Sequence, residues 1–163
     1  VKAPVTPEES VEFIKGITDS FLPQMDPDQD WAPILFVCQE NGDPVAFGLS
    51  GRLLDDKERF CRLLPNLVHS QVKSQVTLIT LVISSWMVIM EEGEQPADLS
   101  CPPSEHPDRI EALQIISVAP DDMKVAVGRI IREEGHHPEL EWEENSFDTM
   151  EGRFAEALRR TLD

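Results

Sequence analysis

The stretch VTLITLVISSWMVIM, residues 76–90, runs for fifteen residues without a charge, and its reading decides the architecture. It falls short of the roughly 20 apolar residues that a membrane-crossing helix requires. Its valines, isoleucines and threonines are stiff at the first side-chain torsion and suit a pleated surface better than a helix, so the run reads as one long buried strand. A strand buried along most of its length needs partners, and the sequence around it provides them.

Upstream, ILFVCQE (34–40) and PVAFGLS (44–50) flank the turn residues Asn41 and Gly42, the pattern of an antiparallel hairpin. Downstream, RIEALQIISVAP (109–120) and MKVAVGRIIRE (123–133) read as a second hairpin turning at Asp121 and Asp122. In the latter, Met123, Ala126, Val127, Ile130 and Ile131 also fall at helical spacing; alternating Val and Ile, together with Gly128, favour a strand. The later part of HHPELEWEE (136–144) fits a short edge strand.

Three segments carry helical signals. In residues 6–25, Thr6 caps, Pro7 opens the first turn, and Val11, Ile14, Ile17 and Phe21 form an apolar stripe. A middle helix begins near Asp55 and presents Phe60, Leu63, Leu64, Leu67 and Val68 on one face, with Pro65 expected to kink or split it. A closing helix over 146–162, capped near Ser146, repeats Phe147, Met150, Phe154, Ala157, Leu158 and Leu162 every three or four residues. The expectation is a single acidic α+β domain over residues 1–163. A mostly antiparallel sheet of about five or six strands packs there against N-terminal, middle and C-terminal helices.

Thirty-one acidic residues against fourteen basic ones give a formal charge of −17, which repels nucleic-acid phosphates and anionic membranes. Direct nucleic-acid binding and membrane association are therefore not expected. Cys38, Cys61 and Cys101 are odd in number and lack CxxC spacing, so neither a disulfide framework nor a zinc knuckle is indicated. With no signal-like start, a cytoplasmic location is expected, and no sequence motif calls for a cofactor.

Acid gathers toward the C-terminal half, which carries −12 of the charge, and six glutamates fall within residues 133–144 without a base. Glu133, Glu134, Glu139, Glu141, Glu143 and Glu144, with Trp142 as an apolar island and Trp31 as a second, are the candidate docking surface. The expected partner is a protein with a basic surface, or another copy of the chain. The same stretch holds adjacent histidines, His136 and His137, the residue type suited to proton transfer near neutral pH. EEGHHPEL (133–140) resembles the histidine-histidine-proline signature of the pterin carbinolamine dehydratases, small α+β enzymes that remove water from a hydroxylated pterin. The likeness spans about eight residues and implies His136 and His137 as acid/base groups. The family's later threonine-histidine pair has no counterpart, since His137 is the last histidine.

A second group of chemical residues is CPPSEHPDRIEAL (101–113), where Ser104, Glu105, His106, Asp108 and Arg109 lie side by side. His106 and Asp108 are candidate catalytic partners for the histidine pair if the fold joins the two loops. Alternatively they are turn residues that hydrogen-bond to the backbone ahead of a strand. No zinc-type spacing such as HExxH occurs, so no metal site is expected.

Overall fold

The computed structural model describes residues 3–88, 101–143 and 153–163. Thr6 accepts a hydrogen bond from the Glu9 amide, and Pro7 opens helix α1, Pro7–Phe21. Strand β1 (Ile34–Gln39) turns at Gly42, whose φ of 124° suits glycine, into β2 (Val45–Gly48). Helices α2 (Gly51–Asp55) and α3 (Lys57–His69) follow, then β3 (Val76–Met87), β4 (Ile110–Ala119), β5 (Asp122–Ile131), β6 (Glu139–Trp142) and helix α4 (Arg153–Thr161).

The strands form one sheet in the order β2-β1-β3-β4-β5-β6, with every neighbouring pair antiparallel. The molecule is α+β, as the periodicities indicate. The long apolar run supplies β3, third in the sheet, and its unbroken character has a direct cause: both sheet faces are covered at this strand. Ile79, Leu81 and Ile83 face the core shared with Phe60, Leu64 and Val68 of α3 and Leu158 of α4. Val82 faces a second core under α1, with Val11, Leu113, Ile115, Ala126 and Ile130. Each such side chain contributes roughly 1.5–3 kcal/mol when fully buried.

Two expectations change in detail. The middle helix is continuous through Pro65, and the break lies at Asp56 (φ −107°, ψ 88°), which caps α3 through a bond from the Arg59 amide. Proline has no amide to give the carbonyl of Cys61 four residues back, and Arg160 Nη2 of α4 donates to that oxygen instead at 3.4 Å. A neighbouring helix thus supplies the missing donor. Second, the stripe expected to bury on α1 is only partly buried: Val11 is enclosed, whereas Ile17 (39% exposed) and Phe21 (56%) lie open. The helix faces the sheet with Ser10 as well as Val11. Ser10 Oγ hydrogen-bonds to Thr80 Oγ1 at 2.7 Å, Thr80 to Ser117 Oγ at 2.8 Å, and all three residues are fully buried. This hydroxyl chain fixes α1 over β3 and β4, since an unpaired buried hydroxyl is costly. Helix α4 is described from Arg153, and the expected start, with Ser146, Phe147 and Met150, lies outside the described residues.

Candidate functional site

Beyond β5 the chain turns at Gly135 (φ 74°), with the His136 amide bonded to the Glu133 carbonyl at 3.1 Å, and the two histidines occupy the end of that turn. Their rings stand 4.2 Å apart at 38°. His136 Nδ1 bonds the His137 carbonyl at 2.8 Å, and His137 Nδ1 bonds the Pro138 carbonyl at 2.9 Å. A carbonyl only accepts, so each Nδ1 carries the proton and each imidazole is tied to its own backbone. His136 is exposed and His137 half-buried.

The other candidate group lies elsewhere and makes local bonds. His106 Nδ1 accepts from the Asp108 amide at 3.1 Å, and Arg109 Nη1 donates to the His106 carbonyl at 3.1 Å. Arg109 also lies over the exposed Trp86 ring, 4.8 Å from its centroid. The Ser104 segment lines a cleft of about 510 Å³ with Lys57, Ser85, Trp86, Gln114 and Phe154, where Gln114 Nε2 donates to Ser85 Oγ at 2.9 Å. Of three clefts of about 510–540 Å³ among the described residues, none is lined by a histidine. Among the described residues no three His, Cys, Asp or Glu side chains are grouped as a metal would need. His69 serves packing: its Nε2 meets the Thr161 carbonyl at 2.9 Å and joins α3 to α4. Cys38 and Cys61 are buried, and burial pushes both thiols above their ordinary range, while Cys101 is half-buried.

The acidic stretch is ordered by β6. Its residues alternate, so Leu140 and Trp142 pack toward the α1 side, and Glu139 and Glu141 stand exposed on the opposite face. Glu133, Glu134 and Glu143 are also exposed, and Glu144 lies outside the described residues. Trp142 is no open apolar island. Its ring folds over Gly128, its indole nitrogen donates to Asp19 at 3.1 Å, and Lys15 approaches its face at 5.4 Å. Trp31 is likewise half-buried against the second core. Arg132 binds the acidic loop before β1 to the sheet: it grips both Glu111 oxygens at 2.8 and 2.9 Å and donates to the Pro27 carbonyl at 3.1 Å. The Glu111 hydrogen bonds raise its pKa further above the usual arginine value.

Apart from Val5, Leu63 and Trp86, the large exposed apolar side chains among the described residues lie where composition gave no signal. Phe13 (36%), Ile17 and Phe21 recur every four residues along one flank of α1, and Ile34 of β1 is 41% exposed. Phe13 is 6.3 Å from the Phe36 ring, so that flank faces β1. Register puts Ile34 opposite Val82 and Phe36 opposite Thr80, on the α1 side of the sheet. Gly48 and Ala46 pair with those two β1 residues and extend the same face to the β2 edge.

Charge follows the layers of this fold. Residues 51–69 and 153–163, which build α2, α3 and α4, carry seven bases and five acids. Residues 3–50, which build α1 and the β1–β2 hairpin, carry nine acids and one base. No protein-family model, curated protein or solved structure matches this chain.

Proposed function

We propose that this chain is a non-catalytic interaction domain that docks a protein partner through that partner's basic surface. The observation that carries the reading is the separation of charge by layer. Helices α2–α4 are close to charge balance, while α1, its following loop and the β6 edge concentrate carboxylates, with Glu139 and Glu141 on the sheet face away from α1. Such a field steers a basic surface toward α1 and the β6 edge and rejects phosphate-rich partners. The same like charges oppose the approach of a second copy by the same face. Glu133, Glu134 and Glu143 are exposed around the β6 edge, Glu139 and Glu141 stand on its face away from α1, and Lys15 and Asp19 of α1 meet Trp142 of the same strand. The histidine pair supports this reading over acid/base chemistry, because its Nδ1 atoms are engaged by local carbonyls and neither ring lines the three clefts found among the described residues.

Affinity capture from the source lysate at low and high salt tests the proposal. The wild-type chain is compared with one carrying Glu139→Lys, Glu141→Lys and Glu143→Lys, and with another carrying Glu9→Lys and Glu12→Lys. The expected result is a basic protein retained by the wild type at low salt, released at high salt, and weakened in at least one variant. Identical recovery by all three chains, or recovery of background alone, overturns the reading.

A further inference from the structure

We infer that the open shelf between α1 and the β1–β2 hairpin seats one cationic amphipathic helix of a partner protein. The inference rests on the docking reading and names the occupant of its apolar end. The shelf has a wall, Phe13, Ile17 and Phe21, and a floor, Ile34 and Phe36 with the small residues Ala46 and Gly48 beyond them. Ile34 of that floor is 41% exposed, Phe36 is half-buried, and the Pro4 carbonyl meets Cys38 Sγ at 3.6 Å beyond it. Its size suits a helix. Six strands at ~4.8 Å spacing span roughly 24 Å, whereas one helix is only ~10 Å across, so α1 over β3 to β5 leaves about a helix width above β1 and β2.

Wall and floor are apolar, and their surroundings are acidic. Glu9 and Glu12 lie exposed on the outer face of α1, and Glu40 and Asp43 are exposed at the hairpin turn. Lys15, the single base of residues 3–50, is turned toward Glu12 at 3.5 Å and the Trp142 ring, on the flank away from β1. An apolar strip bordered by carboxylates recognises its complement, a helix with leucine-like residues on one face and lysine or arginine along its borders. A second copy of this chain is a poor occupant, because two such shelves brought together would juxtapose their carboxylates. A polar extended strand would leave the apolar wall unsatisfied.

The test uses a fluorescein-labelled synthetic helix of leucine and lysine about 15 residues long, ~22 Å, matching α1, with a leucine-glutamate helix as control. Binding is read by fluorescence anisotropy against the full chain, against an Ile17→Ser, Phe21→Ser variant, and against the β6 triple Glu→Lys variant. Circular dichroism checks that each variant folds, and the two serine positions are already solvent-exposed. The expected outcome is binding of the lysine peptide alone. The serine variant should weaken it about tenfold or more, as loss of apolar anchors does, and the β6 variant by only about twofold. Equal affinity in the serine variant, or no binding to the wild type, overturns the shelf as the site. Loss of binding only in the β6 variant does so too, while leaving the acidic docking reading standing. A wild-type dimer by light scattering that the serine variant converts to monomer identifies a second copy as the occupant and overturns the cationic helix.

Discussion

Replacing Gly128 by alanine tests the packing that holds the acidic edge strand. A Cβ built there lies 2.8 Å from Trp142 Cε3 and 2.9 Å from Cζ3, so the indole must retreat by roughly 0.8 Å to reach ordinary contact near 3.6 Å. It has little room to yield, because Asp19 holds the indole nitrogen at 3.1 Å and Lys15 lies over the ring. Overpacking of this kind costs about 1–3 kcal/mol, and stretching the Asp19 bond adds up to about 1 kcal/mol. Gly128 has no positive φ, so alanine returns about 0.5–1 kcal/mol by restricting the unfolded chain. The net is about 2 kcal/mol of destabilisation, a fall in Tm of about 4–8 °C for a domain of this size. A double-mutant cycle with Trp142→Val isolates the cause, because valine has no ring to meet the new methyl group. In that background Gly128→Ala should stabilise by a few tenths of a kcal/mol or more. Calorimetric unfolding of the four proteins reads both effects, and a substitution that destabilises equally with and without the indole refutes the reasoning.

Thr80→Val keeps the shape of the side chain but strips Ser10 and Ser117 of their shared partner; it should cost about 1–3 kcal/mol and speed amide exchange in α1 more than in α3. Uniform exchange across both helices would reject the pinning role. Burial raises the Cys38 and Cys61 thiols above 9.0, so above that pH the unfolded chain ionises while the folded chain keeps its protons. Stability should then fall with rising pH by up to about 1.4 kcal/mol per unit for each thiol, until the folded pKa is passed. Denaturant titrations below the lysine range of about 10.4 follow this with no tyrosine ionising alongside, and a slope unchanged by Cys38→Ala with Cys61→Ala counts against it. His136→Ala with His137→Ala should leave Tm within about 2 °C, since both rings bond only to adjacent carbonyls. A larger loss would give the pair a structural role that its geometry does not contain.

The strands were legible because their periodicity reports burial directly. Residues 76–90 announced a central strand, the Asn41-Gly42 turn set the first hairpin, and alternation in residues 123–133 outweighed a competing helical spacing. Pro65 misled for a reason that is non-local: the donor that completes its helix belongs to Arg160, 95 positions further along the chain. Trp142 misled similarly. Beside glutamates it looked like an exposed anchor, but its ring is received by Gly128 and Asp19 from two other elements. The separation of charge was concealed by counting along the chain. The N-terminal half looked only mildly acidic because the arginines of α2 and α3 were averaged with the carboxylates of α1, although the fold sends them to opposite faces of the sheet.

Why Ile17 and Phe21 remain exposed follows from the unequal covering of the two sheet faces. Helical spacing identifies residues able to share a buried stripe, but it carries no information about how many strands one helix must shield. On one side α3 and α4 pack over the sheet together, and on the other α1, with Trp31 beside it, is the one α-helix among the described residues over a sheet more than twice its width. Its position there is set by directional bonds, the hydroxyl chain from Ser10 through Thr80 to Ser117 at one end and the Asp19–Trp142 bond at the other. Both draw the helix toward β3 through β6. The interactions that anchor α1 therefore also keep it from sliding over β1 and β2, so the apolar shelf is a consequence of polar bonds made elsewhere along the same helix.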